Sequence, residues 1–161
     1  FRNIVLVNPG GLIGQDKFDK LVGRMLVSAV HDITQAMKNS REKGPLTNAA
    51  KEIVKYFAKN PKRAIEELSA IAKSDILEMI KNLHDGGIGI SVVAGVDDPI
   101  FPIKPMMKVL NISEDVIDGF YSVKGGHNKI ITDATYTSLA LNALDSLKYK
   151  QDKRGNPSTQ P

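Results

Sequence analysis

Ile88-Gly89-Ile90-Ser91-Val92-Val93-Ala94 runs for seven residues with only Gly89 and Ser91 interrupting its apolar character, and Gly95-Val96-Asp97-Asp98-Pro99 follows at once. A continuous apolar run of this length, bounded by turn residues, has the pattern of a strand buried on both faces; a strand with one wet face would alternate instead. Such strands belong to parallel sheets covered by helices. Upstream, Gly86-Gly87 stops a helix-period stretch from Ile76 to Leu83 that Ser74 is expected to cap. Another such stretch, Ala64 to Ala72, is expected to take Asn60 as its cap and Pro61 as its first residue. Ala50, Ile53, Val54 and Phe57 place a helix after Thr47, beyond the break at Gly44-Pro45. From Asp16 to Lys38 the residues Phe18, Leu21, Val22, Met25, Leu26, Ala29, Val30, Ile33 and Met37 recur every three or four positions, the pattern of an amphipathic helix. Ile4-Val5-Leu6-Val7, rich in β-branched residues and ended by Asn8-Pro9-Gly10-Gly11, is a second buried strand leaving into a loop.

Downstream, Pro99, Pro102 and Pro105 stiffen a loop and start a short helix through Met106, Met107 and Leu110, with the two methionines expected in the core or in a pocket wall. Gly119 to Val123 is a third strand, ended by Gly125-Gly126, and a helix from about Thr132 to Leu147 is expected to bury Leu139, Leu141, Ala143 and Leu144. Strand, four helices, strand, short helix, strand, long helix is the alternation of an α/β protein, a parallel sheet joined by crossover helices. From Gln151 to Pro161 no apolar side chain offsets the entropy of ordering the backbone, so a mobile tail is expected. Asn3 to Val7 enters its strand with no preceding turn or cap, and its outer edge would carry unpaired backbone groups. We therefore expect further strands before Phe1, and an oligomer if the chain is left by itself.

With 161 residues, 42% apolar and 25% charged, the composition is that of a folded globular domain. The absence of cysteine excludes disulfides, a thiolate nucleophile and sulfur-ligated zinc, and fits the cytoplasm. Three scattered histidines offer no converging metal ligands; His31 and His84, in helical stretches, read as structural. No apolar run is long enough for a membrane span, and no leader pattern opens the chain. The net charge of +4 does not imply a nucleic-acid partner, because basic residues alternate with acids, as in Lys62-Arg63 and Glu66-Glu67, without aromatic side chains between them.

Parallel sheets carry their functional groups in the loops beyond the carboxyl ends of the strands. Here those loops hold Asn8-Pro9-Gly10-Gly11, Gly95-Val96-Asp97-Asp98-Pro99-Ile100-Phe101-Pro102 and Gly125-Gly126-His127-Asn128, so an acid and a histidine share one edge. A carboxylate that accepts from one imidazole nitrogen fixes the tautomer and frees the other nitrogen to take a proton. Asp98 ahead of Pro99 also has a plainer reading, a turn residue bonding its own backbone.

Val92-Val93-Ala94-Gly95-Val96-Asp97-Asp98-Pro99-Ile100-Phe101-Pro102 resembles the acid loop of α/β-hydrolases, in which a strand ends in Gly, two variable residues, the acid and a following Pro. Gly125-Gly126-His127-Asn128 resembles the histidine loop of that superfamily, about thirty residues further on. Ile4 to Gly14 looks like the strand after the nucleophile and the entrance to a lid. The resemblance covers all but the last eleven residues and implies the C-terminal part of the fold. Residues 1–14 and 75–150 are then core, 15–74 a helical lid and 151–161 the tail. It implies Asp98 as the acid, with Asp97 one residue of slippage away, His127 as general base, no cofactor, and a small ester or other acyl compound as substrate of a lipase-like esterase. The departure is the nucleophile. In this superfamily it stands on a Gly-x-Ser-x-Gly turn, whereas none of the ten serines here has that setting; Gly89-Ile90-Ser91-Val92-Val93 comes nearest and lies inside a strand. The family's oxyanion loop is missing too. The resemblance therefore implies a serine, or an aspartate, supplied by the N-terminal part of the same fold. The other reading is a non-catalytic relative whose helices bind a partner.

Overall fold

The computed structural model describes residues 2–38, 52, 55–112, 115–129 and 133–155. Its elements are β1 (Asn3–Val7), α1 (Phe18–Lys38), α2 (Pro61–Lys73), α3 (Leu77–Asp85), β2 (Gly89–Gly95), α4 (Ile103–Ile112), β3 (Gly119–Val123) and α5 (Ala134–Gly155). The strands form one parallel sheet in the order β1-β2-β3, with Val7 opposite Val93 and Gly95 opposite Val123. The class is mixed α/β, as the alternation of periods predicted. Among the described residues, no helix is long and apolar enough to cross a membrane.

Every residue of β2 is buried, the structural counterpart of its unbroken apolar run, whereas β1, also expected to be buried, is only half-buried because, among the described residues, β2 pairs along just one of its edges. Ile90, Val92 and Ala94 face one side, where they meet Leu12, Ile80 of α3 and Met106 of α4. Val93 faces the other side, with Tyr136 and Ala143 of α5. The alternation of Cβ directions along a strand splits these neighbours between two cores, and each fully buried Ile or Val contributes about 1.5–3 kcal/mol relative to exposure. Two crossovers of the same hand, stepping in the same direction across the sheet, place their helices on one face; Ile80 and Met106 accordingly share a cluster. The last helix then covers the opposite face, in contact with all three strands.

Several local expectations are corrected. On α1, Leu21 and Ser28 are buried, whereas Leu26 and Val30 are about two-thirds exposed. Five and nine positions beyond Leu21 is the far side of a helix with 3.6 residues per turn, so the apolar residues form two stripes, one turned to α2 and the other to solvent. On α5, Ala143 is buried and Leu139 packs beside it, while Leu141 and Leu144 are exposed; Tyr136, Ala143 and Leu147, spaced at seven and four, make the inner stripe instead. Met106 is in the core as expected, but Met107 is exposed. Ser74 does not cap α3: its hydroxyl donates back to the Ile71 carbonyl at the end of α2, and Asp75 accepts the Leu77 N–H. Asn60 occupies the position before Pro61 but turns its amide to the Tyr56 carbonyl. Of the helix expected after Thr47, residues 55–59 are helical and most of the remainder lies outside the described residues. Residues 151–155, assigned to the tail, continue α5. Extending a nucleated helix needs only fair helix formers such as Gln151, Lys153 and Arg154, not apolar contacts. Residues 156–161 lie outside the described residues.

Candidate active site

Because the strands are parallel and adjacent, the loops after β2 and β3 leave the same edge side by side. The ladder extends into them, with Val96 N donating to Val123 O at 2.9 Å and Asp97 N to Gly125 O at 3.2 Å. Asp98 folds back under this turn, its N–H on the Gly95 carbonyl at 3.3 Å. Its carboxylate is buried and fully engaged. Oδ1 accepts the N–H groups of Ile100 at 2.8 Å and Phe101 at 3.0 Å, and Oδ2 lies 2.8 Å from Nδ1 of His127. The turn reading and the pairing reading of Asp98 thus describe its two oxygens, one each. A buried carboxylate is tolerated when such charge-assisted bonds replace its water.

The neighbouring Asp97 is exposed, so the one-residue ambiguity resolves to Asp98 as the residue that meets the histidine. The His127 side chain stays 27% accessible. Its ring lies edge-on to Phe101, with centroids 5.3 Å apart and planes at 66°, so the acid loop both bonds and walls the imidazole. Ser91 is fully buried in the middle of β2 and remote from any solvent-facing role. His84 stands 3.9 Å from Asp118 at the other end of the sheet, where Asp118 accepts the Ile90 N–H, a strand-entry contact. His31 is exposed on α1.

Sequence reasoning missed three residues around the site. Asn8, read only as loop punctuation, is buried with φ 44° and accepts the Gly95 N–H at 2.8 Å. The usable signal was the residue type alone, since asparagine is among the non-glycine residues enriched at positive φ, whereas the following Pro9 argued for extended backbone. Tyr136 is buried in α5 beneath the two loops. Burial, and then the Asp98 carboxylate, push its phenol above the ordinary tyrosine range, so it stays protonated. Arg24 of α1 donates through Nε to the Ile100 carbonyl at 2.9 Å and pairs with Asp16. Leu21, Ala72 and Ile100 form a small core there, with Met25 and Phe101 against it, so α1 and α2 rest on the loop that carries Asp98.

Burial works to raise the Asp16 pKa, but the Arg24 hydrogen bond and charge and the Lys17 N–H outweigh it and hold the carboxyl below its ordinary 3.8. A depressed folded-state pKa means stability present above the unfolded value and lost as pH falls through the folded one. The urea midpoint of the native chain should therefore exceed that of Asp16→Asn at pH values above about 4, and the two should converge as the acid limb is descended. A constant gap down to the lowest pH would remove Asp16 from this role.

No family model, curated protein or solved structure matches the chain. Its own geometry is that of a three-stranded parallel α/β layer with an Asp–His pair at the carboxyl edge of the sheet.

Proposed function

We propose that the chain supplies the acid and the general base of an α/β-hydrolase that cleaves an ester or related acyl substrate, with the nucleophile contributed from outside residues 1–161. The observation that carries this reading is the 2.8 Å contact between Asp98 Oδ2 and His127 Nδ1 at the sheet edge where such chemistry is built. The carboxylate holds the proton on Nδ1, so Nε2 has a free lone pair. Nε2 takes the proton of a serine hydroxyl as its oxygen bonds to the substrate carbonyl carbon, then returns that proton to the departing alcohol as the C–O bond breaks. Water repeats the sequence to release the acid and restore the serine. An aspartate nucleophile would need His127 only for the water step. No cofactor enters. Among the described residues β1 pairs only with β2, so its other edge is open to the parallel strand that would precede it and bring the nucleophile turn. Helices α1 and α2, which rest on the acid loop, are then the lid that shapes the acyl pocket, and the cysteine-free composition suits the cytoplasm.

A second reading has its own support. Leu26, Val27 and Val30 of α1 and Ile65 of α2 are more than half exposed, an apolar surface suited to a protein partner. Activity separates the two. The chain alone, and the chain joined to the coding sequence upstream of Phe1, are assayed with a chromogenic short-chain ester and a serine-reactive fluorophosphonate. The joined protein should turn over the ester and take the label, His127→Ala should abolish turnover with the fold intact, and the chain alone should do neither. Turnover retained in His127→Ala, or none in the joined protein, favours the partner-binding reading.

A further inference from the structure

We infer that Asn8 is a positioning residue: its side-chain amide, with the Tyr136 hydroxyl behind it, holds the acid loop and the histidine loop at the separation the Asp98–His127 bond requires. The inference rests on the hydrolase reading only for its consequence in catalysis.

The side chain is 5% exposed and turned away from solvent at the end of β1, where the Asn8 N–H still donates to Val93 O at 2.8 Å. Oδ1 accepts the Gly95 N–H at 2.8 Å, and Nδ2 stands 3.5 Å from the carbonyl oxygen of His127 itself. A carboxamide is the one neutral side chain that carries an acceptor and a two-proton donor on a single rigid plane. The contacts therefore close a ring. Asn8 holds Gly95, the Gly95 carbonyl accepts from Asp98 N, Asp98 holds the imidazole, and the His127 carbonyl returns to Asn8. Gly95 and His127 are 87 and 119 positions from Asn8 in the chain, so no local turn could set their distance from it.

The loops have no slack against Tyr136. A Cβ on Gly95 would lie 2.6 Å from the Gly125 carbonyl and 2.8 Å from the phenol oxygen, and one on Gly125 would lie 3.1 Å from the same oxygen. The phenol is also within 3.5 Å of the Gly126 carbonyl. A positive φ at a non-glycine residue persists where the surroundings over-determine it, and at Asn8 the surroundings are this ring.

A residue that merely ends a strand would alter melting and nothing at the imidazole, so the test reads the imidazole. Long-range proton–nitrogen spectra of the labelled chain report which His127 nitrogen carries the proton, with or without any hydrolysis. In the native chain the Nδ1–H form should dominate. Asn8→Gly keeps the backbone conformation accessible and deletes the amide; the Nδ1–H fraction should fall to about half of its native value. Tyr136→Phe, which removes one oxygen, should shift it in the same direction by less. An unchanged tautomer in Asn8→Gly overturns the inference whatever happens to the melting point. Should that variant not fold, Tyr136→Phe decides by the same criterion. In the joined enzyme Asn8→Gly should lower kcat about tenfold with KM unchanged. A tautomer change in the chain combined with an inactive joined protein would sink the hydrolase reading and leave the positioning role standing.

Discussion

Asp98→Asn is expected to lower kcat/KM of the joined protein by about 10³–10⁴-fold while leaving the fold in place, a loss of about 4–5.5 kcal/mol of transition-state stabilisation. The direction follows from what surrounds the carboxylate. Two backbone N–H groups, of Ile100 and Phe101, point at Oδ1 and need an acceptor there. In the Asp98→Asn variant the amide oxygen must take that place, which turns the NH2 group toward His127. An NH2 group donates, so Nδ1 has to accept and the proton moves to Nε2. The nitrogen that should collect a proton from the nucleophile would then already hold one. Steady-state kinetics on the chromogenic ester check this, with Asp97→Asn as a control expected to stay near native activity, since Asp97 is exposed. A loss smaller than about tenfold would take Asp98 out of the mechanism.

The second large effect concerns stability. Ile80 is the buried residue of α3 and is 1% exposed, set among Leu12, Ile90, Val92, Ala94 and Met106. Ile80→Ala should cost about 2–5 kcal/mol, transfer loss plus the cavity left between helix and sheet. Partly buried Ile76, just ahead of α3, and Leu83 within it pack against the same cluster, but the helix is only nine residues long and marginal without tertiary contacts. Urea unfolding would show the midpoint drop, with protection of the α3 amides lost first. A cost below about 1 kcal/mol would mean that α3 is not held through this side chain.

The three strands were legible to within a residue from their short apolar or β-branched runs bounded by turn residues, but only the central β2 is buried along its whole length; β1 and β3, on either side of it, are half-buried. The run from Ile88 to Ala94 stands one residue before the observed Gly89–Gly95, and Gly119–Val123 coincides with its expectation. The juxtaposition of Asp98 and His127 was legible for a related reason: in a parallel sheet every strand leaves by the same edge, so strand assignment alone puts both loops there. Helix faces were less legible. Leu26 and Val30 satisfy the same three-and-four rule as Leu21 and Met25, and periodicity does not say which stripe finds a neighbour. Cap chemistry failed at Ser74 for the same kind of reason, since a hydroxyl between two helices can serve either end and chose Ile71.

By itself, the sequence determined the α/β class, the order of the elements, and the edge on which an acid and a histidine would meet. These follow from the period of apolar residues and from turn residues, which are local properties. Tertiary structure alone decided that Asp98 and not Asp97 reaches the imidazole, that Asn8 and Tyr136 gather around the two loops, and that Arg24 ties α1 to Ile100. Each of those choices depends on a hydrogen bond or a clearance of a few tenths of an ångström between residues far apart in the chain. Such distances are fixed only when the sheet and both helical layers have packed.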